Sequence, residues 1–347
     1  MLIREFLFQE GSSCDRNRDS PVTTSISANT RRKDPVGTDA QQNNSMNHVT
    51  HVLLAGDKDY APFMLEGRNN SLLDLSGRLL IEFTIDAFSS TTLVDKLVIV
   101  GPVDLSSKIP SRIRNIPTTF LPQQNSLSEN VAAALDLIHE RWAEDITIFV
   151  TNDAPLLTGF EIDGFAATVL AEPLDIHIAT RRIESDLLSD PLVKQYVQSL
   201  VALSDGTYLL ANQIALSYRS RGLVRTIQQF FDLRKQSTYA AFSKTLIQAL
   251  KQPSTRASLI PWLRLVIAKS LWSMWPGARL NRVVGLSPPQ VETGLEQLIG
   301  DNLRIRISEI PDALGCFDAD TAGQLQELRK LIATQTEAIR KLEVAHA

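Results

Sequence analysis

Asp145-Ile-Thr-Ile-Phe-Val-Thr-Asn-Asp-Ala-Pro-Leu-Leu-Thr158 is the stretch on which the reading of this chain turns. Residues 146–150 are apolar and rich in β-branched side chains, the composition of a buried strand. Pro155 ends the run, because proline cannot donate to a sheet ladder. Asp153 is thereby delivered just past the C-terminal end of a strand. In open α/β sheets ligands gather outside those carboxyl ends. An Asp in this position more often closes a turn or caps the next helix, so the stretch alone does not decide for catalysis or metal binding.

Working outward, residues 48–55 read as a first strand that stops at Gly56. Residues 72–75 and a turn at Ser76-Gly77 lead into 79–89, where Leu80, Ile81, Ile85 and Phe88 fall on one helical face. Residues 96–101 form a second buried strand and 118–121 a short third. Helices are expected at 128–140 and 159–170, with a strand at 175–179 between later turns. Strands alternating with helices at this spacing imply an α/β fold, three-layer α/β/α, with a mainly parallel mixed sheet. Residues 207–212 suggest a further strand, and from Ala215 to Ser273 the pattern is helical, broken at Pro253 and Pro261. Residues 303–310 alternate with period two, as a strand with one wet face does, and are expected to rejoin the sheet. The helical block, about 213–300, is then an insertion within a domain covering 48–330. A last helix spans about 322–344, and 331–347 is the end of the C-terminal helix.

With 347 residues, 44% of them apolar, the chain can bury a large core. Its net charge of -4 argues against a broad nucleic-acid footprint. Cys14 and Cys316 are far apart, which excludes a disulfide framework, and the five histidines lack metal-ligand spacing. This is a cytoplasmic composition. Residues 1–47 form an expected disordered tail: 11–47 is too polar to bury the surface that ordering needs, and no signal-peptide core precedes it. Asp15, Asp19, Asp34 and Asp39 count against a transit peptide, and Met46 is an alternative start. Three of the four tryptophans, Trp262, Trp272 and Trp275, sit in the helical block. Residues 259–275 are too short and too charged to span a bilayer; they suit a buried helix or, less commonly, one lying peripherally in a membrane interface.

No GxGxxG, GxxxxGK[ST] or GxSxG occurs, which weakens dinucleotide-binding, P-loop and α/β-hydrolase readings. Three ordered segments do carry a resemblance: Val52-Leu-Leu-Ala-Gly56, Asn69-Asn-Ser-Leu-Leu-Asp-Leu-Ser-Gly-Arg-Leu-Leu-Ile81 and Asn152-Asp-Ala-Pro-Leu156. Together they resemble the molybdenum-cofactor guanylyltransferase-like nucleotidyltransferases, of the GT-A-like superfamily. Asn125-Ser-Leu-Ser-Glu-Asn130 is similar to that family's element contacting base or ribose, and Asp318-Ala-Asp-Thr-Ala-Gly-Gln-Leu325 to its closing acidic motif. The resemblance implies a Mg²⁺-dependent transfer of NMP from an NTP donor to a phosphorylated small-molecule acceptor, with release of pyrophosphate. It makes Asp153 the first metal ligand, Asp320 the second and Asp318 the neighbouring candidate. It assigns Leu54, Ala55, Gly56, Asn70, Ser126, Asn130 and Asn152 to the nucleotide. Backbone N–H groups at the Ala55-Gly56 turn would approach the triphosphate. Asp318 and Asp320 are equally well explained as helix caps beside Thr321.

The loop after Gly56 departs from the family pattern. It reads Asp57-Lys-Asp-Tyr-Ala-Pro-Phe-Met-Leu-Glu-Gly-Arg68, and the family's lysine falls on Asn70. Two acids beside a triphosphate are repulsive unless they turn away. Lys58, Arg68 or Arg78 could replace the missing charge; Lys58 and Arg78 join Asp153 as the expected catalytic set. The alternative is a catalytically degenerate member of the same fold that binds a nucleotide or a partner.

Overall fold

The computed structural model describes residues 48–56, 65–67, 69–224, 285–299, 303–310 and 314–346. The tail before His48, Lys58, Arg68, most of the helical block and its three tryptophans lie outside the described residues.

The expected alternation of strands and helices is what the chain adopts. In order come β1 (Val49–Leu54), β2 (Asp74–Leu75), β3 (Arg78–Leu79), α1 (Leu80–Ser89), β4 (Val94–Gly101), β5 (Arg112–Ile113), β6 (Ile116–Pro122) and α2 (Leu127–Trp142). There follow β7 (Ile146–Thr151), α3 (Gly159–Ala171), β8 (Ile176–Ile183), α4 (Pro191–Lys194), β9 (Val201–Ala202) and β10 (Thr207–Ser217). The last elements are α5 (Pro288–Ile299), β11 (Ile305–Glu309) and α6 (Ala322–His346). Among the described residues one nine-stranded sheet runs in the order β11-β8-β10-β7-β1-β4-β6-β5, with β9 on β10. β1 pairs in parallel with both β4 and β7, while β10 runs antiparallel between β7 and β8. The sheet is therefore mixed and mainly parallel.

β11 joins β8 in parallel, so the chain does return to the sheet after the block, as its period-two pattern indicates. The strand that begins at Thr207 is longer than the sequence reading allowed. It continues through Ala215 and Leu216 to Ser217, so the helical pattern does not start at Ala215. The cause is tertiary: Ala215 and Leu216 pair with Ile148 and Thr147 of β7 and are buried, and ladder partners on both sides override a weak local preference.

Side chains alternate across the pleat and build two cores. On one face Leu53, Ile148, Val150 and Ala179 pack with Leu80 and Phe88 of α1, Ile162 and Phe165 of α3, and Leu325 and Leu328 of α6. On the other, Val52, Val98 and Phe149 pack with Val131, Leu135 and Ile138 of α2 and with Leu295 of α5. Helices on both faces of one sheet make the three-layer α/β/α arrangement. Among the described residues no helix is long and apolar enough to cross a membrane.

His51 lies in the middle of β1 with no exposed surface, edge-on to Phe88 and bonded to the carbonyl of Val49. Burial, which disfavours the charged imidazolium, lowers its pKa from 6.5 to about 4. The unfolded chain thus takes up this proton before the folded one, and stability falls as pH drops through that window. The loss amounts to roughly 3 kcal/mol for a shift of this size. His177, lowered mainly by burial, acts in the same direction. Urea unfolding from pH 7 to pH 4 should therefore show His51→Gln gaining on the wild type as the pH falls. Parallel pH profiles for the two proteins would contradict this.

Candidate active site

The carboxyl ends of β1 and β7 lie side by side in register, Leu54 opposite Thr151. The backbone that leaves them is tied together. Asn152 N–H donates to the Leu54 carbonyl at 3.2 Å, and Ala55 N–H donates to Val100 of β4 at 2.8 Å. The short 3-10 turn Asn70–Leu72 is fastened to both ends through Ser71, which is buried. Its hydroxyl donates to the Ala55 carbonyl at 3.0 Å and accepts from Asn152 Nδ2 at 2.5 Å. Asn69 caps that turn by accepting from Ser71 N–H. The Asn152 side chain is thus committed to the turn behind the strand ends, with its Oδ1 buried and unpartnered. Asn70 is half-buried.

On the α2 side, Gly56 and Asn130 come together. A Cβ at Gly56 would meet Gln123 Oε1 at 2.9 Å and Asn130 Nδ2 at 3.4 Å, so the backbone here passes close to both side chains. Asn130 Oδ1 accepts from Gln124 N–H at 2.5 Å, which fixes the loop before α2. Ser126 is the N-cap of α2, accepting from Glu129 N–H, and lies against the hydroxyl of Ser128. Arg78 stands on β3 and is exposed. Its guanidinium contacts Asp86 at 2.5 Å and lies over the ring of Phe83, so its charge is met on α1.

Asp153 is joined by two acids from the far end of the chain. Ala319 N–H donates to the Asp153 carbonyl at 2.8 Å, which brings residues 318–320 to the end of β7. Carboxylate oxygens of Asp153, Asp318 and Asp320 then all lie within 4.8 Å of one another. The helix that follows has its own cap. Thr321 accepts from Gln324 N–H and from Leu325 N–H, and so caps α6 itself. Gln324 in turn accepts from Asp320 N–H. Thr151 donates to Asp153 Oδ1 at 2.5 Å and orients it.

Several latches hold the acidic segment. The buried hydroxyl of Tyr196 donates to the Asp318 carbonyl, and its ring meets Phe317 edge-on. Burial, then the negative charges of Asp318, Asp153 and Asp320, push this phenol far above its usual range, so it remains a donor. Asn212 Nδ2 donates to the Gly315 carbonyl at 3.0 Å. Burial raises the Cys316 thiol to about 12, which makes it inert at neutral pH. From α6, Arg329 reaches Glu66 at 2.6 Å and the Asp74 carbonyl at 3.0 Å, binding the turn-bearing segment to the same helix.

Three carboxylates this close repel by about 3 kcal/mol per pair at an effective dielectric constant near 20. A hard divalent cation removes that cost. Mg²⁺ takes oxygen ligands at about 2.1 Å in octahedral geometry, which puts ligand oxygens roughly 3 to 4 Å apart, and it keeps several positions for water or phosphate. The all-oxygen donor set and its spacing fit such an ion. The structure brings together Asp153, Asp318 and Asp320, which the sequence singles out, and adds contacts of Ser71, Tyr196 and Gln123 that it does not. Tyr196 and Gln123 lie in no motif, Ser71 lies in one without a role read from it, and only the folded chain shows their contacts.

The chain matches no family model and none of the curated proteins. Among solved structures it is similar to a hypothetical transferase from Thermus thermophilus, 19% identical, covering 80% of this chain and 99% of that one at a TM-score of 0.49. It is also similar to a CMP:2-keto-3-deoxy-manno-octonic acid synthetase complexed with CTP (12% identity, 83% and 99% covered, TM-score 0.46). A third is the 4-diphosphocytidyl-2C-methyl-D-erythritol synthase of Anaerococcus prevotii (7%, 84% and 99%, 0.45). Likeness of this depth carries no inference. The fold rests on the sheet order above, and the chemistry on the site.

Ser71→Ala removes one donor and one acceptor from a buried network and strands the Ala55 carbonyl and the Asn152 amide. Leaving buried polar groups unpaired costs about 1 to 3 kcal/mol each. Denaturant unfolding should show a loss of that order; an unchanged midpoint would contradict the fastening role.

Proposed function

We propose that the chain is a Mg²⁺-dependent nucleotidyltransferase that moves NMP from an NTP to a phosphorylated small-molecule acceptor. The observation that carries the reading is the convergence of Asp153, Asp318 and Asp320 at the carboxyl end of a central strand, next to the Gly56 turn. An acceptor phosphate oxygen attacks the α-phosphorus in line. A new P–O bond forms, the bond from the α-phosphorus to the bridging oxygen breaks, and pyrophosphate leaves with that oxygen. Charge spreads over phosphate oxygens throughout, so catalysis is chiefly positioning and electrostatics.

Asp153 and Asp320, with Asp318 beside them, would hold Mg²⁺, which supplies charge neutralisation to the phosphates when bound. Asp153 is held for this by the hydroxyl of Thr151. Gly56 offers bare backbone to the triphosphate, and Asn130 and Ser126 flank it from α2 as the base and ribose side. Leu54 and Ala55 form the floor of that turn, and Asn152 with Asn70 shapes it from behind. Lys58 and Arg78 are the basic groups offered to the phosphates. For Arg78 this requires release from Asp86, a contact between exposed side chains worth at most about 1 kcal/mol. A cytoplasmic setting suits NTP-dependent chemistry, and the resemblance to molybdenum-cofactor guanylyltransferases makes GTP the first donor to try.

A second reading, a nucleotide-binding or partner-binding member without turnover, is favoured by one feature: a neutral, half-buried Asn70 stands where the family has lysine. One assay separates the two. Pyrophosphate release is followed with each of four NTPs, Mg²⁺ and a panel of sugar, alditol and pterin phosphates. Wild type should turn over at least one combination, and Asp153→Ala should lose about 100-fold or more, the scale of removing a main electrostatic group. Equal rates in both proteins would sink the catalytic reading; a thermal shift with NTP but no turnover would select the second.

A further inference from the structure

The segment carrying Asp318 and Asp320 is reached from below by a buried acid that has no part in the reaction. Glu161 lies in the first turn of α3 and is 3% exposed. Its two carboxylate oxygens accept from successive backbone N–H groups, Oε1 from Leu314 at 2.6 Å and Oε2 from Gly315 at 2.9 Å. Burial raises the carboxyl while these two N–H groups pull it down. The fit is tight from the other side as well. A Cβ on Gly315 would stand 2.6 Å from Leu157 Cδ1 and 2.9 Å from Glu161 Oε2, so a side chain at 315 would press directly on the carboxylate that engages it. Three residues later the chain presents Asp318.

We propose that Glu161 is a positioning residue for the metal centre. Through the N–H groups of Leu314 and Gly315 it sets the path of residues 314–320, and thereby the distance from Asp318 and Asp320 to Asp153. The proposal rests on the metal-binding reading above. Thr158-Gly-Phe-Glu161 has the spacing of a capping box, which by itself explains an acid there, and Thr158 does accept from Glu161 N–H at 3.3 Å. A local cap has no reason to reach a segment from the opposite end of the chain. Of side chains this size, a carboxylate is the one that offers two acceptor oxygens to two adjacent N–H groups. Glutamine retains one oxygen and turns an N–H toward the second donor.

The test is titration of Mn²⁺ alone into wild type, Glu161→Gln, Gly315→Ala and Ile162→Val, with amide hydrogen exchange of residues 314–320 on each. Ile162→Val loosens the same helix from inside the core but leaves both oxygens of Glu161 and the N–H groups of Leu314 and Gly315 in place, and so controls for a general loss of stability. Glu161→Gln and Gly315→Ala should bind Mn²⁺ about 10- to 100-fold more weakly, the scale on which groups that orient metal ligands act. Residues 314–320 should exchange faster in both, while Ile162→Val, at an equal or larger drop in thermal midpoint, keeps wild-type affinity. Unchanged Mn²⁺ affinity in Glu161→Gln and Gly315→Ala overturns the role of Glu161 and leaves the metal reading standing. A wild type that binds no Mn²⁺ overturns the metal reading, and the proposal with it.

Discussion

A single backbone hydrogen bond, Ala319 N–H to the Asp153 carbonyl, governs the arrangement of this molecule's site. It joins the end of the central strand to a segment lying beyond β11, more than 160 residues later in the sequence. Everything else around the site keeps that bond in register. Tyr196 fixes the Asp318 carbonyl, Asn212 the Gly315 carbonyl and Glu161 the N–H groups at Leu314 and Gly315. Carboxylates that repel one another need such a scaffold, because no attraction among them would bring them together.

The sheet's order serves the same end. β1 and β7 are adjacent, parallel and buried on both faces, so their carboxyl ends open side by side. The Gly56 turn leaves one and Asp153 the other. α2 supplies Ser126 and Asn130 from one face, and the α1 side supplies the Ser71 turn from the other. The antiparallel β10 closes the flank of β7 and, through Asn212 (φ 50°), reaches over to the acidic segment.

Much of this was legible in the sequence. The β-branched run at 146–150 and the acid after it are local features, and local chemistry determines strand, stop and exit. The alternation of strands and helices set the layers, and period two at 303–310 marked the returning strand. What could not be read was long-range. Glu161 looks like a first-turn acid of a capped helix, and Tyr196 an isolated aromatic in a polar stretch. Ser71 looks like a spacer between Asn70 and Leu72, yet each makes its decisive contact with a segment remote in sequence. Asp318 and Asp320 read equally as caps or ligands in the sequence, and the structure gives the N-cap of α6 to Thr321. The start of the helical block was read too early because ladder pairing extends β10 to Ser217.

The charge balance of the donor side is the feature that most distinguishes this chain from the family it resembles. Asn70 is neutral, and Arg78 is occupied on α1 by Asp86 and Phe83. On the proposed function, a cation held by the carboxylate cluster would supply charge to the phosphates that Asn70 does not. The central claim is that Asp153, Asp318 and Asp320 form a cation site facing the Gly56 turn. Anomalous diffraction from crystals grown with Mn²⁺ and a non-hydrolysable NTP tests it most directly. The account predicts a Mn²⁺ peak bonded to Asp153 and to at least one of Asp318 and Asp320, with the triphosphate against Gly56. Ordered nucleotide elsewhere on the molecule, with no anomalous density among the three carboxylates, would contradict it.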